Sequence, residues 1–218
     1  MASGGGSRLK MAVTGFAGTG KTTLCEALGE HFALPVLGED MGAITAANQE
    51  AERVLRFAYS TAAERSAARE ASIEAYVAWA GKRARAFDAH PGFVADRWEL
   101  DLVNWWLVHF GLGTNDVDHV TSRLLSDLRE KSARLDYMVL MPFQSPFAAA
   151  GSQNHDLLGR KIDFTTHTLF RTVTVGLMRE FAPVRVIQIP PRPMTVVERV
   201  DHVAKLIAED RARIRKAN

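Results

Sequence analysis

The sequence predicts an α/β protein in which an open, five-stranded parallel sheet carries helices on both faces. Short apolar segments alternate with long helical patterns, which is typical of this class. Several of these segments end at glycine or proline, and a glycine-rich turn directly follows the first of them. The predicted strands are Lys10–Gly15, Pro35–Gly38, Phe93–Asp96, Tyr137–Met141 and Val184–Ile189.

Helical patterns occupy most of the chain between these strands. A first helix is predicted from Lys21 to His31, and an Ala-, Glu- and Arg-rich stretch runs from Ala46 to Phe87. That stretch is too long for one ordinary helix, so we expect two or three. We expect residues 8–218 to form a single domain after a flexible Gly- and Ser-rich tail, Met1–Ser7.

The composition is that of a soluble globular protein. Of 218 residues, 47% are hydrophobic and 24% are charged, and no apolar run is long enough to cross a membrane. Cys25 is the only cysteine, which excludes an intramolecular disulfide and a multi-cysteine zinc site and favours the reducing cytoplasm. The seven histidines show no metal-ligand spacing.

The charge is nearly balanced. A net charge of +2 suits an anionic ligand but does not require nucleic acid. Basic residues cluster at Arg83–Arg85 and Arg211–Lys216, each with acidic residues upstream. We interpret both clusters as solvated helix faces.

Residues 15–22 match the phosphate-binding pattern G-x-x-x-x-G-K-[ST] completely, and they lie between a predicted strand and a predicted helix. Glycines allow the backbone to wrap a phosphate with its N–H groups inward, and the helix N-terminus adds partial positive charge. Lys21 is expected to reach the β- and γ-phosphates, and the Thr22 hydroxyl to bind Mg²⁺. The predicted nucleotide-binding residues are Gly15, Ala17, Gly18, Thr19, Gly20, Lys21, Thr22 and Thr23. The fold is therefore predicted to be the three-layer sandwich of P-loop NTPases.

The third predicted strand ends in Asp96, followed by Arg97. The carboxyl ends of parallel strands form the edge where ligands bind in open α/β folds. We expect Asp96 to share the Mg²⁺ site with Thr22, and Arg97 to contact a phosphate or substrate oxygen. The alternative is an exposed Asp–Arg surface pair.

Several P-loop classes do not fit. GTPases need an Asn-Lys-x-Asp guanine box, which is absent, and an Asp-x-x-Gly switch after the third strand. Residues 156–159 match that switch by letters but follow the fourth strand. The Ser-Gly-Gly signature of ABC ATPases is absent, and AAA+ motors have Asp-Glu where this chain has Asp96-Arg97.

The P-loop GFAGTGKTT, the strand ending in Asp-Arg and a later arginine-bearing loop resemble small-molecule P-loop kinases. The resemblance is to the AAA-type ATPase and kinase group that includes nicotinamide-riboside kinases, and more distantly to deoxynucleoside and thymidylate kinases. It implies a carboxylate base after the second strand, for which Glu39 and Asp40 are candidates and Glu39 is favoured. Helix capping by Asp40, or simple exposure, is the alternative.

The resemblance also implies a lid over the transferring phosphoryl group and an adenine-binding loop. Arg160 and Lys161, in the weakly periodic segment 146–163, fit the lid, and Arg171 could join them. The relatives' Asp-Gly-x-Arg lid form is replaced here by Asp-Leu-Leu-Gly-Arg. Arg192 lies in the proline-rich loop after the fifth strand, where relatives seat adenine, and Thr195 is the expected cap of the last helix.

Three tryptophans follow Asp96 closely. With Glu99 and Asp101, Trp98, Trp105 and Trp106 could line an acceptor pocket. The alternative is that these tryptophans belong to the core or to a dimer contact.

The favoured function is transfer of the γ-phosphoryl group of Mg·ATP to a hydroxyl of a nucleoside-like or other small acceptor. The helical insertion at 46–89 would bind that acceptor, and a homodimer is common in relatives. An antibiotic-modifying phosphotransferase would use the same chemistry. A regulatory nucleotide switch that binds a partner protein and, less favoured, a nucleic-acid-processing ATPase are the alternatives.

Overall fold

The computed structural model describes residues 8–16, 18–39, 41–56, 61–109, 118–143 and 164–217. These residues form five strands and seven helices in an alternating order. The strands are β1 (Lys10–Thr14), β2 (Val36–Leu37), β3 (Phe93–Asp96), β4 (Tyr137–Leu140) and β5 (Arg185–Gln188). The helices are α1 (Lys21–Phe32), α2 (Gly42–Arg56), α3 (Ala62–Ala89), α4 (Glu99–His109), α5 (Asp118–Ser132), α6 (Phe164–Phe181) and α7 (Val196–Ala217).

All five strands pair in parallel, in the order β2-β3-β1-β4-β5. The predicted fold class is confirmed, and β3 has the predicted bounds, while the other four strands are slightly shorter than predicted. The register places Val13 beside Asp96 and Leu37 beside Ala95. The chain segments that follow β1, β2 and β3 therefore meet at one edge of the sheet.

Alternate residues of the strands enter two separate cores. Met11 and Val13 of β1 pack on one face, against apolar residues of α1 and α7 such as Leu28 and Val203. Ala12 faces the opposite core, which α3, α4, α5 and α6 share with the first turn of α2. Burial on both faces explains why the three central strands, β1, β3 and β4, are mostly apolar in sequence, whereas the edge strands β2 and β5 are largely exposed.

The region between β2 and β3 contains two helices, as expected. The longer one, α3, starts with a capping box in which Thr61 and Glu64 each accept a backbone N–H of the other. Ser72 of α3 donates to the carbonyl of Ala47 in α2. The prediction of a solvated face at 83–85 is wrong for Arg83, which is buried, and right for Arg85, which is exposed.

The tryptophans after β3 divide between the two interpretations. Trp98 and Trp106 are fully buried in the core, where their indole N–H groups donate to Ser132 and Thr121. The acceptor-pocket interpretation is therefore wrong for both, because neither ring has surface left for a ligand. Trp105 is half-buried beside the ring of Phe170. Among the described helices, none is both long and apolar enough to cross a membrane.

Candidate active site

The phosphate-binding loop leaves β1 through a backbone path that only glycine follows easily. Gly15 has φ +143°, and a Cβ at this position would lie 2.8 Å from the Cβ of Met141. Gly20 caps α1 in the left-handed conformation, at φ +84°. Side chains at either position would strain the turn, so the motif's glycines set the shape of the loop.

Lys21 crosses this loop from the first position of α1. Its Nζ donates to the carbonyl of Phe16 at 2.8 Å, and the hydroxyl of Thr19 donates to the same oxygen at 2.9 Å. Burial, followed by the nearby charge of Arg97, lowers the pKa of Lys21 to about 8. A buried cation beside a helix N-terminus favours the binding of a polyphosphate. The negative phosphates would stabilise the lysine charge that burial destabilises.

Thr22 and Asp96, the two residues predicted to bind Mg²⁺, contact each other. The Thr22 hydroxyl donates to Oδ2 of Asp96 at 2.6 Å, while the buried Oδ1 of Asp96 has no hydrogen-bond partner. Burial is the main cause that raises the pKa of Asp96, and the hydrogen bond from Thr22 opposes it. A cation would satisfy the free oxygen and favour the charged carboxylate.

This pair fits Mg²⁺, which prefers oxygen ligands and usually keeps several waters and substrate phosphates in its shell. Within the described residues, no group of three or more His, Cys, Asp or Glu side chains could hold a metal ion. Thr22 and Asp96 would therefore share the ion with phosphate oxygens and water.

Asp101 connects the start of the phosphate-binding loop to the segment before α4. It is buried, and its carboxylate accepts hydrogen bonds from the Thr14 hydroxyl at 2.7 Å and from the backbone N–H groups of Gly15 and Trp98. The acceptor-pocket interpretation is wrong for Asp101, because its oxygens already tie β1 to the start of α4. It is equally wrong for Glu99, which is buried with its Oε1 3.0 Å from Nζ of Lys131.

Arg97 faces Glu39 across the same edge. Its Nε lies 2.7 Å from Oε1 of Glu39, whose side chain is 36% exposed, whereas that of Arg97 is 3% exposed. Arg97 adopts φ +67°, a left-handed conformation that costs energy for a residue with a Cβ. The surface-pair alternative is thus wrong for Asp96 and Arg97, both of which are buried.

Two residues of α3 that the sequence analysis did not select also reach this edge. The indole N–H of Trp79 donates to the carbonyl of Glu39 at 3.1 Å. Arg83, one turn later, donates to the carbonyls of Gly38 and Asp96, among others. In the sequence, nothing distinguishes this arginine from its exposed neighbours.

Arg199 of α7 is a third residue that the sequence analysis missed. Its Nη1 donates to the carbonyl of Thr19 at 3.1 Å, so the last helix contacts the phosphate-binding loop directly. Arg192 is exposed on the loop after β5. Thr195 caps α7 as predicted, accepting the backbone N–H of Glu198.

The remaining predicted residues are not brought together here. Ala17, Asp40, Arg160 and Lys161 lie outside the described residues. Thr23 is exposed in the first turn of α1. Arg171 is exposed on α6, with its guanidinium over the ring of Phe143.

A family model described as an AAA domain matches residues 10–188. No curated protein matches the chain.

Solved structures share the fold at low identity. The chain is similar to a deoxyadenosine kinase from M. mycoides, with a TM-score of 0.60 and 12% identity over 92% of this chain and 99% of that one. It is also similar to a thymidylate kinase from Candida albicans, with a TM-score of 0.56 and 10% identity over 93% and 92% of the two chains. Both neighbours are P-loop kinases, and the match to most of the sequence shows that the chain belongs to the AAA-domain family, with a kinase-like P-loop fold.

Proposed function

We propose that the protein is a phosphotransferase that moves the γ-phosphoryl group of Mg·ATP to a hydroxyl of a nucleoside-like or other small acceptor. The observation that carries this proposal is the Glu39–Arg97 pair, held at 2.7 Å on the edge that also presents Lys21 and Asp96. A switch that only binds nucleotide does not require a half-exposed carboxylate there. A kinase uses such a group to take the acceptor's proton.

Each residue has a distinct role in the proposed reaction. Lys21 and backbone N–H groups of the loop would bind the β- and γ-phosphates. Thr22 and Asp96 would hold Mg²⁺, which when bound neutralises charge on the phosphate oxygens. Arg97 would stabilise the negative charge that develops on the transferred group.

Glu39 is the proposed base, and Asp40 stays the alternative. The carboxylate accepts the proton of the acceptor hydroxyl as the new O–P bond forms and the bond from the γ-phosphorus to the ADP oxygen breaks. Arg97 restrains Glu39 through their ion pair, so the base does not need to be ordered by the acceptor. On the proposed lid, Arg160 and Lys161 would add further positive charge.

The structural neighbours suggest which acceptors to try first. The deoxyadenosine kinase structure is described with dCMP and dCDP bound as products. Because identity is low, we take this as a reason to begin with nucleosides and not as an assignment of the acceptor. Vitamins and antibiotics with free hydroxyls follow.

The test measures ADP release from Mg·ATP with and without pooled nucleosides, vitamins and antibiotics. We expect one pool to stimulate release and Glu39→Gln to lower the stimulated rate by about 10²–10⁴-fold. Glu30→Gln, an exposed carboxylate of α1, is the matched control and should leave the rate unchanged. If no acceptor stimulates ADP release and Glu39→Gln changes nothing, the kinase proposal fails and a regulatory ATPase is favoured.

A further inference from the structure

Arg83 is a buried arginine that contacts backbone instead of a carboxylate. Among the described residues, no acidic side chain lies within ion-pair distance of it. Its Nη1 donates to the carbonyls of Leu37 and Gly38 at 3.4 and 3.1 Å. Its Nη2 donates to the carbonyls of Asp96, at 3.3 Å, and Arg97. Burying a charged guanidinium away from water costs free energy, so the four hydrogen bonds that Arg83 donates to carbonyls need an explanation.

The explanation lies in the shortness of β2. The ladder between β2 and β3 pairs Val36 with Val94 and Leu37 with Ala95, and it ends there. Glu39 and Arg97 lie two residues beyond the last pair of the ladder, where strand pairing no longer joins the two segments. Nη1 of Arg83 donates to the segment that follows β2, and Nη2 donates to the segment that follows β3. The guanidinium therefore bridges the two segments where the ladder stops.

The planar group is itself held in place. Its Cζ lies 5.1 Å from the centre of the Trp79 ring and 5.9 Å from that of Trp98. Trp79 also donates to the carbonyl of Glu39. Arginine stacks on aromatic rings and offers donors in a fixed fork, which a lysine cannot reproduce. The orientation of the bridge is therefore set by the core beneath it.

We propose that Arg83 is a positioning residue that holds the two segments carrying Glu39 and Arg97 at the separation required for phosphoryl transfer. The inference rests on the proposed function, because it assigns Arg83 a purpose in that reaction. It acts through the backbone and touches neither substrate. Small displacements of catalytic groups are expensive, since about 1 Å can cost about 10²-fold in rate.

The experiment compares Arg83→Met and Arg83→Lys with two controls. Arg85→Met removes an exposed arginine from the same helix. Phe87→Leu weakens the same core, including a ring contact with Trp98, but removes no hydrogen bond to the backbone of either segment. Three quantities are measured: kcat with the stimulating acceptor, nucleotide affinity, and amide hydrogen exchange over 37–39 and 96–98.

We expect Arg83→Met to lower kcat by about 10²-fold with nucleotide affinity retained. Exchange over both segments should accelerate, while exchange in the phosphate-binding loop stays unchanged. The kcat of Arg83→Lys should lie between those of the wild type and Arg83→Met, because an ammonium keeps the charge but cannot reach both segments. Phe87→Leu should lower the melting temperature without the loss of kcat.

Two results would overturn the proposal. One is a loss of kcat in Arg83→Met no greater than in Phe87→Leu at equal thermal stability. The other is unchanged exchange over 37–39 and 96–98. If the wild-type protein transfers phosphate to no acceptor, the proposed function fails, and exchange alone then decides whether Arg83 joins the two segments.

Discussion

The proposed nucleotide side and the proposed acceptor side of the sheet edge are built in different ways. On the nucleotide side, one continuous stretch, 15–22, supplies the backbone curve, the lysine and the hydroxyl. On the acceptor side, Glu39, Arg97, Trp79 and Arg83 come from three separated parts of the chain and meet through long-range contacts. The first side depends on glycine backbone geometry, and the second on side chains buried between helices and strands.

This contrast separates the effects that substitutions should have. Changes on the nucleotide side should alter nucleotide affinity, with or without an effect on the chemical step. Changes on the acceptor side should lower kcat and leave nucleotide affinity intact. The Glu39 and Arg83 experiments test the second expectation, and the three that follow test the first.

The largest effect on the nucleotide side is expected for Lys21→Met. Loss of the ammonium removes the charge that binds the phosphates, so kcat/KM should fall by about 10³-fold. The melting temperature of the nucleotide-free protein should not fall, because the substitution removes a charge that burial disfavours. Steady-state kinetics measure kcat/KM, and thermal unfolding measures the melting temperature.

Lys205→Met, at an exposed site on α7, is the control for charge alone. Nucleotide affinity that survives in Lys21→Met would contradict the assignment of this side.

A smaller effect is expected for Arg199→Met. The variant loses the hydrogen bond from the guanidinium to the carbonyl of Thr19, and nucleotide affinity should weaken by about tenfold. At saturating ATP, kcat should be retained. Titration with a nucleotide gives the affinity, and Arg213→Met, exposed on the same helix, is the matched control. A fall in kcat at unchanged affinity would move Arg199 to the acceptor side.

The smallest effect concerns pH. The pKa of Lys21 is lowered to about 8, so the free protein loses this charge as the pH rises through that value. Phosphates favour the charged form, and nucleotide binding slightly above pH 8 should therefore take up a proton and weaken a few-fold as the pH rises further. Calorimetry in buffers of different ionisation enthalpy measures the uptake. Lys21→Met should abolish it, and a pH-independent wild-type affinity would refute the assignment.

The same contrast explains what the sequence could predict. The phosphate-binding loop is local, so its pattern and its flanking strand and helix are recognisable. The central strands β1, β3 and β4 are recognisable because burial on both faces makes them mostly apolar. From the sequence we expected Asp101 in an acceptor pocket and Arg83 on a solvated helix face, and we did not select Trp79 or Arg199. Their partners lie far along the chain, and spacing within the sequence carries no information on which distant carbonyl or hydroxyl a side chain will meet.

The strand order has a consequence for how the protein is made. β1 leaves the ribosome first among the strands, yet it lies at the centre of the sheet and needs both β3 and β4 as neighbours. Helices can form locally in the meantime, but pairing across such long separations is slow, and an unpaired apolar strand is prone to aggregation. Arg199 reaches the phosphate-binding loop only when α7 docks. The segment that is easiest to recognise in the sequence is thus among the last parts of the molecule to become functional.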